Sequence, residues 1–495
     1  MNDRRSDEAA ALLGSSATLT STQDQDTRSH SIWPAIIATT SVVILLDIGR
    51  YLSLAPQTAI LESIVCNQYY AQNQPNTILE PRFNKCKIEP VQSEVAIING
   101  WKDVFGTLPA ILVAVPYGAL ADRIGRKKVQ LLAIIGICLS DGWDRLIYWF
   151  SDTLPLRLLW LSGGWQLIGA GGATLSAIAF AQVADICPVE QRTTAFSFIA
   201  AAELLNQLLF LPIGAGLMSI DPWIPLFATI ALNLLGLVSG ALLVQETLPN
   251  PEHPDGRERR VESTTIKDSF RDLLHNLATG ASKFGRWASG NIRVIMVMIS
   301  TFCFTLATQC DNTLLLQYAS KRLGWTIGEA SFLLSFRAGV TLFVMAVALP
   351  VTSSFLVDRL QLHETVKDMR VTQACGGCFA LGAVMIFLAT RWVPLVAGQI
   401  IFSLGFIYKV SARSLVTQMV AQRQRGTALT AIAILIQAGG LAGASFLAAA
   451  FRLGMKLGDF WTGMPFLIAG GFSLVGLLSI SAVDATVHRG EINRL

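Results

Sequence analysis

The chain has 495 residues, of which 52% are hydrophobic and only 15% charged, with a mean hydropathy of +0.50 and a formal net charge of +4. Soluble domains carry about 25% charged residues, so the charge here is too sparse to cover the polar surfaces of the several domains a water-soluble chain of this length would form. That excludes a soluble enzyme or binding module. The small net charge says little about partners.

Residues 1–32 are polar and lack the apolar core of a cleavable leader, so they read as a disordered tail, and the first hydrophobic span must itself direct insertion. A bilayer core needs roughly 20 mainly apolar residues per helix. About twelve segments meet that requirement by hydropathy: 33–54, 95–120, 129–150, 157–183, 193–218, 223–246, 293–318, 328–353, 370–390, 393–415, 427–451 and 461–483. Only a helix satisfies its own peptide groups within such a segment, so the fold class is an all-α membrane protein. Six spans (33–246) precede a polar connector (247–292) and six follow it (293–483), which implies two six-helix bundles and a short tail at 484–495. The connector is either a plain linker or, in KDSFRDLLHNLATGASKF, an amphipathic surface helix. The Lys and Arg of the loops gather on the side of the N-terminus, mostly in 122–128 and 247–292, which predicts that both termini are cytoplasmic.

The cysteines divide in two. Cys138, Cys187, Cys303, Cys310, Cys375 and Cys378 lie in or beside spans and read as small apolar packing; Cys375-Gly-Gly-Cys378 has redox spacing but no charged neighbour to activate a thiolate. Cys66 and Cys86 fall in the segment 55–94, which the topology places outside. They are expected to form a disulfide there, the alternative being two free thiols.

The second span ends in Gly118-Ala-Leu-Ala-Asp122-Arg123-Ile-Gly125-Arg126-Lys127-Lys128. Gly118 permits close helix contact, Gly125 permits a left-handed turn, and the basic cluster holds the turn on the inner face. The eighth span ends in Asp358-Arg359, and Arg192-Thr193-Thr194-Ala195 after the fourth span is echoed by Arg425-Gly426-Thr427-Ala428 after the tenth. Both echoes are offset by about 235 residues, as parallel repeats of six spans would leave them.

The run 118–128 matches G-x-x-x-D-R-x-G-R-[RK]-[RK] at every fixed position, and with twelve spans in two halves the chain resembles the major facilitator superfamily from 33 to 483. The resemblance implies two bundles rocking about a midplane site, and a cytoplasmic latch in which Asp122 is the anion and Arg126 belongs to its charge network. The second copy has Ser354 and Gln361 in place of the glycines, so its latch role does not carry over. Pro56, Glu62, Cys66, Tyr69-Tyr70, Cys86, Gln92 and Gly100-Trp101 resemble a fungal branch of the superfamily associated with secondary-metabolite export. Leu211-Pro-Ile-Gly-Ala-Gly216 partly resembles the Gly-Pro-Gly signature of drug antiporters.

An ionisable residue inside a span costs roughly 2.5–3.5 kcal/mol on insertion scales and marks a functional candidate. Asp47 and Arg50 lie three apart on one face of the first span, while Lys102 and Asp103 lie in the second. Lys102, Asp141, Asp144 and Arg145 are expected to reach the outer interface. Glu203, Arg337 and Lys409 lie deepest, and by the resemblance they face a central cavity; Asp311 sits in the seventh span. A carboxylate withdrawn from water takes up a proton more readily, so Glu203 is the first candidate for proton coupling, ahead of Asp47 and Asp311. The competing reading is a permanent ion pair from Glu203 to Arg337 or Lys409. Gln166 is a further cavity candidate, and Gly163, Gly164, Gly169, Gly171 and Gly172 around it are read as packing and bending positions.

There is no G-x-x-x-x-G-K-[ST] loop, so no built-in ATPase is expected. His30, His253, His275, His363 and His488 all lie outside the spans, which argues against a His-ligated metal or haem. The expectation is a monomeric secondary transporter without cofactor or nucleic-acid partner. It would move a small organic molecule outward with proton coupling, in the plasma membrane or alternatively the vacuolar membrane. Importing a nutrient or vitamin, and a non-transporting receptor on a transporter fold, are the other readings.

Overall fold

The computed structural model describes residues 3–73, 86–187, 189–247, 292–355, 364–420 and 425–492. The first half holds α1 (Asp3–Asn73), α2 (Glu89–Ile124), α3 (Arg126–Trp149), α4 (Ser162–Trp165), α5 (Gly171–Ile186), α6 (Val189–Met218) and α7 (Trp223–Leu242). The second holds α8 (Ile292–Thr313), α9 (Leu315–Leu323), α10 (Ile327–Phe343), α11 (Leu349–Ser354), α12 (Glu364–Leu388), α13 (Trp392–Leu404), α14 (Tyr408–Met419), α15 (Arg425–Leu457) and α16 (Met464–Ile492). No strand occurs among the described residues.

Nine helices among the described residues are long and apolar enough to cross a membrane. The predicted span 95–120 lies within the continuous helix α2, where Lys102 and Asp103 are followed by the charge-free apolar run 104–121. The span 129–150 is helical but interrupted by charge, since α3 carries Asp141, Asp144 and Arg145. The span 157–183 departs further from its expectation, because it is broken. Its outer part is a 3-10 turn over Leu156–Leu161 running into the short α4, and α5 begins only after Gly169, Ala170 and Gly171, all left-handed at φ +78°, +60° and +61°. Gly169 lies against the Ala133 backbone of α3, where a Cβ would come within 2.3 Å, and the Tyr117 hydroxyl of α2 donates to the Leu167 carbonyl at 3.0 Å. The glycine cluster is thus a break in the span as well as a packing surface.

The first helix also differs from its predicted span. α1 continues past residue 54 to Asn73, so Cys66 lies on a helix instead of in a loop. At its other end its backbone takes in residues 3–32, the stretch read as a disordered tail. Asp7-Glu-Ala-Ala-Ala-Leu-Leu13 supplies strong helix formers there. The segment 248–291, with the proposed amphipathic helix, and the second motif copy at Asp358-Arg359 lie outside the described residues.

Each half packs about its own apolar core. The second half centres on Phe304, Phe379, Phe402, Tyr408, Tyr318 and Phe466. One core of the first half gathers Leu61, Val95, Ile98, Ile147, Leu159 and Leu226. The halves meet along α6 with α10, α2 with α15, and α1 with α10. Among the described residues, close approaches of the two halves gather at the end that carries Cys66 and Cys86. A Cβ at Gly100 would stand 2.9 Å from Ala448, one at Gly328 would stand 3.1 Å from Met218, and Lys321 of α9 donates to the Lys87 carbonyl. At the opposite end Gly118 is exposed, and among the described residues a Cβ there would meet nothing within 4 Å, so the close helix contact expected at Gly118 is not found among them. The large apolar side chains left exposed, Leu234, Leu235 and Val238 on α7 and Leu474, Val475 and Leu478 on α16 among them, form the lipid-facing surface.

Candidate functional site

The residues proposed from sequence fall into three groups: a network where α2 meets α3, a set of locked charge pairs inside each half, and a set of open charges between the halves.

At the α2–α3 turn, Gly125 takes φ +111°, and a Cβ on it would lie 2.2 Å from the Glu246 carboxylate. Glycine is required twice over, by the backbone and by that seat. The Glu246 carboxylate accepts the Arg126 N–H at 2.8 Å and the Lys127 N–H at 3.2 Å, closing the free donors at the start of α3 with a negative charge. The Arg126 guanidinium meets Asp185 of α5 at 2.7 Å. Lys127 is half-buried and Lys128 exposed. Asp122 and Arg123 occupy the last turn of α2, and their side chains lie outside the described residues. Sequence reasoning missed Glu246 and Asp185. Asp185 follows the predicted span 157–183 and Glu246 closes the predicted span 223–246, both on the side of the 118–128 turn, and that placement was the available signal.

The locked pairs overturn one expectation. Asp144 and Arg145 do not reach the outer interface, while Lys102 and Asp141, partly exposed, are tied to them. Asp144 and Arg145 are 3% and 4% exposed. Lys102 bridges to Asp144 at 2.6 Å, beside the Tyr148 ring. Arg145 bridges to Asp141 at 3.3 Å and donates to the carbonyls of Asp141 and Leu226, and Asn233 of α7 donates to Asp141 at 2.6 Å. These groups point inward because each finds its counter-charge on a neighbouring turn or helix, which a charge buried away from water requires. In the second half Asp311, fully buried, pairs with Arg337 at 2.6 Å and accepts from Gln399 at 2.8 Å, while Arg337 also donates to Asn312 at 2.7 Å and lies over the Phe406 ring. Arg337 therefore belongs to Asp311. The permanent pair from Glu203 to Arg337 does not form, and Arg337, like Asp311, is enclosed in its own half.

The open charges are Asp47 and Arg50 on α1, Asp103 on α2, Glu203 on α6, and Lys409 and Arg413 on α14. Glu203, Arg50 and Arg413 are exposed, while Asp47, Asp103 and Lys409 are half-buried. None of the six has an ion-pair partner within 4 Å among the described residues. They still feel one another: Arg50 stands in the field of Asp47, Glu203 and Asp103, and Lys409 in that of Glu203, Arg337 and Arg413. Arg50 lies 5.0 Å over the ring of Tyr51, which is packed into the interface between the halves. Lys409 gets its position from a 3-10 turn at Gly405–Ile407, where Gly405 lies so close to Phe379 that a Cβ would come within 2.6 Å of its ring. Gln166 stands apart. It fills the break before α5, its amide near Gly106 and Gly171, and so packs within the first half.

At the closed end Cys66 and Cys86 are bonded, with S–S 2.05 Å. The bridge sits beside a buried pair, Lys87 to Glu62 at 2.6 Å, with Gln92 donating to Glu62 at 2.8 Å. Burial lowers the affinity of Lys87 for its proton, and the Glu62 carboxylate pulls the other way.

Among the described residues no group of three or more His, Cys, Asp or Glu side chains could hold a metal ion. Comparison with known proteins gives a consistent set of likenesses. The sequence profile of the Major Facilitator Superfamily matches residues 96–444. The efflux pump ustT of Aspergillus flavus is 38% identical over 435 residues, covering 87% of this chain and 84% of that protein. The MFS efflux pump atnC of Emericella nidulans is 28% identical over 89% of this chain and 86% of its own length. Among solved structures, the human organic anion transporter MFSD10 (TETRAN) shares the fold with a TM-score of 0.58 at 17% identity, covering 91% of this chain and 99% of that one.

Proposed function

The chain belongs to the Major Facilitator Superfamily, and from that premise we propose that it exports a small organic molecule by alternating access, with proton movement coupled through Glu203. It is a secondary transporter and not an enzyme, and the relatives ustT and atnC are named efflux pumps. The observation that carries the coupling assignment is the contrast in pairing. Asp311 is fixed by Arg337 and Gln399, and Asp144 by Lys102, whereas Glu203 is exposed, in the field of Arg50 and Lys409, with no ion-pair partner within 4 Å among the described residues. A carboxylate so placed takes a proton from one side, loses attraction for both cations, and regains it when the proton leaves. The groups within its electrostatic reach are Asp47, Arg50 and Tyr51 on α1 and Lys409 on α14. Moving one charge across the membrane is worth about 2.3 kcal/mol per 100 mV, which is enough to drive uphill export.

In this reading the 118–128 end is cytoplasmic, the disulfide end is outside, and the conformation is the one that loads substrate from within. The Arg126–Asp185–Glu246 network then ties the inner ends of three helices of the first half into one moving body. The plasma membrane is the proposed location, and a single chain suffices.

The test is to profile metabolites inside and outside cells with and without the gene, at two external pH values. A compound that accumulates inside the deletion strain, and leaves wild-type cells faster at acid external pH, supports the reading. A compound depleted inside the deletion strain makes the protein an importer. Glu203→Gln should abolish the pH dependence while the purified variant keeps its melting temperature; a normal pH response in that variant overturns the coupling assignment.

A further inference from the structure

The open charges are sorted by half. On the first half, accessible Asp47, Asp103 and Glu203 surround a single cation, Arg50. On the second, Lys409 and Arg413 stand one helical turn apart on α14, and no accessible carboxylate faces them from the described spanning residues of that half. Asp311 there is spent on Arg337, and Asp368 of α12 is turned to Ser414 and Gln418. One wall of the cavity is therefore net anionic and the other net cationic. Two such walls repel like-charged ligands at one side or the other, and a neutral ligand leaves both sets of charges without partners after displacing their water.

We propose that the cavity selects amphoteric ligands, molecules that carry a carboxylate and an amine on one apolar body. The carboxylate docks on Lys409 and Arg413, and the amine docks among Asp47, Asp103 and Glu203. A ligand with both groups bridges the halves and screens their charges together, which a singly charged molecule cannot do. This assignment rests on the reading of the cavity as the transport site, and it adds the ligand class and its orientation.

The test uses the full-length protein in lipid nanodiscs and ε-dansyl-lysine, whose α-amino and α-carboxyl groups are free. Binding is read by energy transfer from tryptophan. Three comparison probes are its N-acetyl derivative, its methyl ester, and the doubly blocked form. The expected order is the free zwitterion tightest, by about tenfold over either singly blocked probe, with the doubly blocked form weakest. Lys409→Gln should make acid and ester bind alike, and Lys409→Arg should restore the preference, which a folding defect would not do. Equal binding of all four probes, binding of none, or an unchanged acid-to-ester ratio in Lys409→Gln overturns the proposal. Flux of the same probe into vesicles under a pH gradient is a separate reading. Selective binding without flux would sink the transport assignment and leave the charge-sorted cavity standing.

Discussion

The two halves treat the charged groups inside their spans differently. The second half locks Asp311 on Arg337 and turns Asp368 to Ser414 and Gln418, and among its described residues it presents Lys409 and Arg413 as open charges. The first half locks Lys102 with Asp144 and Arg145 with Asp141, and presents mostly carboxylates. The locked groups are structural glue within each bundle. The open groups, held apart on opposite walls, are the ones whose interactions change when the halves move. The lesson is that a charge in a span becomes a functional candidate only after its neighbours have been counted.

Four measurements would break or sharpen that contrast. The largest effect is expected at Asp311→Asn, which strands Arg337 in a closed site. Loss of one partner of a buried pair costs about 3–5 kcal/mol, visible as a sharp fall in melting temperature by detergent-based thermal unfolding. A variant that melts like the wild type would mean that the pair is not locked. Asp144→Asn should cost less, about 2 kcal/mol, since Lys102 retains some exposure and keeps the Tyr148 ring and the Gln57 amide as neighbours. Glu246→Gln weakens a carboxylate on a half-exposed helix terminus and should cost roughly 0.5–1 kcal/mol. Lys409→Gln removes an open charge and should change stability by no more than about 0.5 kcal/mol, while altering which probes bind. A large loss of stability in Lys409→Gln would place it among the locked groups and undo the division.

Much of this was legible beforehand. The 118–128 motif, the hydrophobic spans and the intramembrane charges are local features of the chain, and each was readable from composition and spacing. Pairing was not, because it is settled by helix rotation and by which helices become neighbours. Arg337 and Lys409 looked alike as lone cations in apolar runs, yet one meets Asp311 at 2.6 Å and the other meets no carboxylate within 4 Å among the described residues. The same limit hid Glu246, more than a hundred residues from the Arg126 and Lys127 amides that it caps. Gly169 and Gly171 were visible as flexible positions, but a broken span depends on α3 approaching closely enough to hold it open.

That break bears on how the chain is made. A segment leaving the insertion machinery for lipid must satisfy its own peptide groups, because each one left bare there costs several kcal/mol. The stretch from Gln166 to Gly171 cannot do so alone: its Leu167 carbonyl is served by Tyr117, Gly169 lies against the backbone of α3, and Gly171 against the Gln166 side chain. The fourth span is therefore a poor membrane segment in isolation and a good one beside its predecessors. Biosynthesis of the first half then has an order written into it, in which the second and third helices wait at the exit for the fourth and enter the bilayer with it.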